Sequence, residues 1–121
     1  MILPGFTFLS KRPPYTTEHL FIIISQIINK KVLYVNVTTY DDCRDMSCIL
    51  KVGEHPFIRH KSIINYHDAF DPQVTLIEQA ISQKTITPQD PVSRSLLKKI
   101  QAGALISPAF PTKYLNYLPI K

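Results

Sequence analysis

Residues 19–25 (HLFIIIS) constrain the fold of this chain more than any other stretch. They are apolar without alternation and rich in β-branched and aromatic side chains, so they read as a strand buried on both faces. Residues 31–40 (KVLYVNVTTY) alternate instead, with a period of two. Val32, Tyr34, Asn36 and Thr38 fall on one face, and Leu33, Val35, Val37 and Thr39 on the other. A turn over 26–30 joins the two segments, which predicts a hairpin. Residues 46–52 (MSCILKV) read as a third strand, and 61–66 (KSIINY) as a shorter one. Ahead of the hairpin, Phe6 and Phe8 flank Thr7 and are followed by Leu9 and Ser10, the pattern of a short edge strand. Lys11-Arg12-Pro13-Pro14 then reads as a stiff basic loop, because consecutive prolines exclude a central strand.

The period changes at Asp71-Pro72. Aspartate at an N-cap with proline at the first helical position is a helix start signal, and Asp90-Pro91 repeats it. After the first signal Val74, Ile77, Ala80 and Ile81 recur at helical spacing up to about Lys84. After the second, Leu96, Leu97, Ile100 and Ala104 do the same, with Lys98 and Lys99 outward. Pro111-Thr112 opens a last short turn or helix carrying Tyr114, Leu115 and Leu118. The expectation is one α+β domain over 1–121, strand-rich over 5–66 and helical over 71–118.

With 121 residues, of which 45 % are apolar, the chain can bury a core without disulfide or metal staples. Ten prolines against three glycines favour stiff connections. No signal peptide is expected at 1–10, and the longest apolar run, 20–24, is too short to span a bilayer. Two cysteines, Cys43 and Cys48, are too few to staple a secreted domain. These features predict a cytoplasmic protein with both thiols reduced and no contact with membrane. The net charge of +5 suggests a polyanionic partner: nucleic acid, an acidic protein segment or a membrane surface.

All four histidines, His19, His55, His60 and His67, fall in the strand-rich part. Glu54, His55, Arg59, His60 and Lys61 crowd into eight residues, while Thr38 and Thr39 end a strand. Histidine is the usual acid or base near neutral pH, and an arginine or lysine beside it can hold a phosphate. Cleavage of a phosphodiester needs one group to take a proton, one to give one, and a cation for the phosphorane charge. Other roles compete: His55, next to Pro56, can cap a turn, and His60 with Arg59 can form a solvated edge. Cys43, Cys48, His55 and His60 offer two sulfurs and two nitrogens to zinc. Their spacing matches no common zinc finger, and Cys48 sits in an apolar run, so neither metal nor cofactor is expected. There is no Gly-rich phosphate loop, nucleophile elbow or HExxH, which argues against NTP hydrolysis, serine hydrolysis and metalloprotease chemistry.

The apolar strand ending in Ser25, the turn, and the strand ending in Thr38-Thr39 before a charged loop resemble the PemK/MazF-like toxins of toxin–antitoxin systems. Residues 47–52 stand where that family has its next strand, and Gly5-Phe6-Thr7-Phe8 where it has its first. The resemblance covers roughly 5–66. It implies a small, bent SH3-like β-barrel decorated by helices, often a homodimer. It also implies metal-independent endoribonuclease activity on single-stranded RNA, with an acidic antitoxin as partner. Thr38 or Thr39 would contact the scissile region. The chain departs from the family at His19, which stands where an Arg-Pro is expected, while Arg12-Pro13 lies upstream. Residues 53–68 and the helical tail depart as well.

Combined with residue type and clustering, this makes the RNA 2′-hydroxyl the nucleophile, His19 or His55 the base and His60 the acid. Arg59 and Lys61 would stabilise the phosphorane, and Thr38 and Thr39 would position the backbone. The rival reading is a non-catalytic module whose basic barrel rim binds an acidic protein or nucleic acid. The two differ in whether histidines and a cation converge near Thr38.

Overall fold

In the computed structural model, which describes residues 2–11, 17–42 and 44–119, the hairpin pairs β2 (His19–Ile23) with β3 (Tyr34–Thr39). Phe21 lies opposite Asn36, and Ile23 opposite Tyr34. At the turn, Ile28 and Lys31 exchange backbone hydrogen bonds of 2.8 and 3.0 Å. Asn29 and Lys30 between them adopt φ of 51° and 67°. Two successive positive φ values give the primed turn whose twist matches that of the strands it joins.

The other strands add to both sides of this hairpin. β1 (Thr7–Ser10) pairs with β2, and β6 (Thr87–Gln89) pairs with β1. On the opposite side β5 (Ser62–Phe70) pairs with β3, and the two-residue β4 (Ile49–Leu50) with β5. The sheet is antiparallel, in the order β4-β5-β3-β2-β1-β6.

This sheet is open and does not close into the expected barrel, because β4 and β6, its outermost strands among the described residues, do not pair. Nor is β1 an edge strand. β6 covers it, with Pro88, which lacks an N–H, at the margin where that donor is not needed. The third strand is shorter than 46–52 because side chains satisfy the backbone around it. The Asp45 carboxylate accepts from the Ser47 N–H at 3.0 Å, and Glu54 from that of Lys51 at 2.7 Å. β5 runs longer than 61–66, its register against β3 shifting between Asn36 and Tyr34.

Both faces of the sheet are covered, as the unbroken apolar run of β2 requires. On one face Leu20, Ile22, Leu33, Val35 and Tyr66 pack with Leu96, Ile100 and Ala104 of α2 (Arg94–Ile106). On the other, Phe8, Phe21, Ile23 and Tyr34 pack with Ile77 of α1 (Val74–Ser82). Gly103 lets α2 approach closely, since a Cβ there would run into the Tyr66 hydroxyl and come within 2.9 Å of the Cys48 Cβ. The C-terminal turn expected at Pro111 is a 3₁₀ helix, Thr112–Tyr117, with Tyr114 buried.

Both helices start later than the Asp-Pro signals. Val32 N–H bonds Pro72 O at 3.1 Å and Val74 N–H bonds Lys30 O at 2.9 Å, which holds Gln73 extended against the hairpin turn. Gln73 therefore stands at the N-cap of α1, without a side-chain bond. Val92 N–H likewise bonds Gly5 O at 3.0 Å, and Ser93 caps α2 by accepting from Leu96 N–H. No helix among the described residues is long and apolar enough to cross a membrane.

Candidate functional site

Because β2 and β3 run antiparallel, the start of β2 abuts the end of β3. The start of β5 joins them, since Ser62 pairs with Thr39. The connection before β5 folds back over these strand ends. It is anchored by the buried Ile58, whose N–H bonds His55 O at 2.9 Å, and by Tyr40 N–H to Lys61 O at 3.1 Å. A cleft of about 230 Å³ results, lined by His19, Thr38, Thr39, Arg59, His60 and Ser62 among others.

His19 Nδ1 lies 3.0 Å from the Val37 carbonyl oxygen. A carbonyl oxygen can only accept, so Nδ1 carries the proton and a neutral ring keeps its lone pair on Nε2. His60 Nε2 is 3.1 Å from Thr39 Oγ1, and both His60 and Arg59 are exposed. Two imidazoles, two threonine hydroxyls and a guanidinium thus share one small opening.

His55 lies elsewhere. It is 3 % exposed, with Nδ1 accepting from Phe57 N–H at 3.0 Å and Nε2 donating to Asp90 O at 2.6 Å. Both ring nitrogens are engaged, and His55 does not line the cleft. Its position is that of a bolt between the 54–60 loop and the chain before α2. Lys61 does not line the cleft either; its Nζ sits 3.9 Å from the centroid of the Tyr40 ring. Glu54 meets Lys99 of α2 at 3.4 Å.

Cys48 is a free, buried thiol whose pKa is pushed up by burial. Cys43 lies outside the described residues. No three histidine, cysteine, aspartate or glutamate side chains among the described residues are grouped to hold a metal. Tyr66, buried against Cys48 and donating to Ile100 O at 2.7 Å, also has its pKa raised by burial.

Thr38 lines two further openings. One, of about 510 Å³, includes Thr39, Tyr40, Asp41, Asp42 and Arg44; the other, of about 430 Å³, includes Arg44, Asn65, His67 and Asp68. Residue clustering along the chain assigned no role to Arg44, Tyr40 or Asn65, which line these openings. Arg44 sits in the turn after β3, and its only local signal was its place just beyond the Thr-Thr strand end. Asn65 joins through the β3–β5 register alone. Asp45, beside them, accepts hydrogen bonds from the Ser47 and Ser107 hydroxyls. Burial opposes its charge, but these bonds outweigh burial and hold its carboxyl below the usual aspartate range.

No family model, curated protein or solved structure matches the chain.

Proposed function

We propose that this cleft cleaves single-stranded RNA by attack of the substrate's own 2′-hydroxyl on the adjacent phosphorus. The observation that carries the reading is the meeting of His19, His60 and Arg59 around Thr38 and Thr39 in one opening. His19 Nε2 takes the 2′-hydroxyl proton, its ring held in the right tautomer by the Val37 carbonyl. The new P–O2′ bond forms as the P–O5′ bond breaks, and His60 gives its proton to the leaving 5′-oxygen. Arg59 balances the phosphorane charge, and the Thr38 and Thr39 hydroxyls position the sugar–phosphate backbone. The products are a 2′,3′-cyclic phosphate and a 5′-hydroxyl. His55, buried with both nitrogens bonded, has no step in this scheme. An acidic protein seated over Arg59 and Lys61 would silence the site, in keeping with the antitoxin partner that the resemblance implies.

The test is cleavage of single-stranded RNA by the purified protein in chelator. Cyclic phosphate ends are expected, with a rate that passes through a maximum as pH is varied, since one histidine must be neutral while the other is protonated. His19→Ala and His60→Ala should each lower the rate by about a hundredfold or more, and Arg59→Ala should slow it too. Lys98→Ala, on the outer face of α2, should not. Expression without a partner should arrest growth, and the double histidine variant should relieve the arrest. A wild type that neither cleaves RNA nor slows growth would leave the cleft as a binding surface.

A further inference from the structure

We infer that the cleft selects guanosine as the nucleotide that supplies the attacking 2′-hydroxyl, with Glu18 reading the base and Phe57 stacking on it. The inference rests on the cleavage reading above and names the base that reading leaves open.

Glu18 stands immediately before β2, exposed, and is the only carboxylate among the described residues that line the cleft. Facing the scissile phosphate it would repel that charge and oppose Arg59. Where it meets hydrogen-bond donors instead, it is favourable, because a carboxylate accepts through two oxygens side by side. Bases offer such donors on the Watson–Crick edge, which a single strand leaves unpaired. Chain position selects the nucleotide. Glu18 adjoins His19, the group that takes the 2′-hydroxyl proton, so the nearest base belongs to the nucleotide bearing that hydroxyl.

The four bases differ in what they present to two adjacent acceptors. Guanine carries N1–H and its 2-amino group side by side, and both can donate to one carboxylate. Adenine and cytosine each set one amino group beside a ring-nitrogen acceptor, and uracil sets N3–H between two carbonyl oxygens. Those acceptors face the carboxylate and are repelled by it. Guanine alone engages both oxygens. Phe57 supplies the stacking surface: it lines the same cleft, is half-buried and packs against the α2-side core, with its N–H held by His55 Nδ1 at 3.0 Å. Stacking strengthens binding of every base and chooses among none. Affinity therefore falls to Phe57 and choice to Glu18.

The experiment compares kcat/KM for the RNA dinucleotides GpA, ApA, CpA and UpA, alongside calorimetric binding of guanosine and adenosine 3′-monophosphates, which need no cleavage. GpA should be preferred over the others by about tenfold to a hundredfold, the scale of one bidentate base contact. IpA, whose inosine lacks the 2-amino group, should lose most of that preference. Glu18→Gln should abolish it while leaving ApA cleavage within about twofold, because the amide offers one acceptor and one donor. Phe57→Leu, which keeps apolar bulk but no ring face, should raise KM for all four and keep the order. Equal cleavage of the four by wild type, or a preference that Glu18→Gln leaves intact, overturns the inference while the catalytic reading stands. A uniform loss on all four in Glu18→Gln would make Glu18 a proton-transfer group and overturns it as well. If wild type cleaves nothing but binds guanosine 3′-monophosphate more tightly through Glu18, the base site stands and the catalytic reading fails. Absence of cleavage and of any binding preference overturns both.

Discussion

Asn36→Leu should make this protein more stable. Asn36 sits in the middle of β3, 1 % exposed, opposite Phe21 on one side and Asn65 on the other. Neither its Oδ1 nor its Nδ2 has a hydrogen-bond partner. In mutational series a buried polar group left unpaired costs about 1–3 kcal/mol, and leucine has nearly the same shape without the unmet demand. The added apolar surface contributes favourably at about 25 cal/mol per Å². Crowding against Phe21 subtracts up to about 1 kcal/mol. The expected net gain is about 2 kcal/mol, which at 121 residues raises Tm by roughly 8 °C. Urea unfolding followed by circular dichroism and by fluorescence measures it, with an unchanged m-value showing that the unfolded reference has not moved. Asn36→Asp is the opposite control, since it buries a charge at the same place. If Asn36→Leu is neutral or destabilising, the amide is satisfied in solution, for instance by an internal water, and the reasoning from an unpaired group fails.

Two further outcomes concern stability. His55→Ala removes the acceptor of Phe57 N–H and the donor to Asp90 O and leaves a cavity, so it should cost about 2–4 kcal/mol. RNA cleavage per folded molecule should stay within about twofold, and a hundredfold loss in kcat without loss of stability would return His55 to the chemistry. Asp45 has a lowered folded-state pKa, so the unfolded chain binds its proton more tightly and acid favours unfolding. Its contribution is complete above the ordinary aspartate value of 3.8 and is lost as pH falls through the lower folded-state value. In acid titrations followed by near-UV circular dichroism, Asp45→Asn should be less stable than wild type at pH 6, and the gap should narrow as pH drops. A gap that stays constant from pH 6 to pH 2 would refute the linkage.

What could be read from the sequence followed the range of the interactions that decide each feature. The β2–β3 hairpin was legible because its alternation and its turn are local. The open sheet was not, because β6 is three residues long with Pro88 at its centre and exists only by pairing with β1, some eighty positions earlier. The Asp-Pro pairs marked real boundaries, yet the helices begin later because Pro72 and Val74 are bonded to the hairpin turn and Val92 to Gly5. The site divides in the same way. His55 and His60 look alike in sequence, and the partner that separates them is Asp90. His19 and His60 meet only because the register sets the start of β2 and the start of β5 beside the end of β3. A slip of one residue in β3 would exchange its faces, burying Thr38 and Thr39 on the wrong sides and sending Val35 and Val37 out of the α2-side core. Burial on both faces makes every such slip costly. The property that made 19–25 readable as a strand is therefore also what keeps the threonines, the two histidines and Arg59 in register around one cleft.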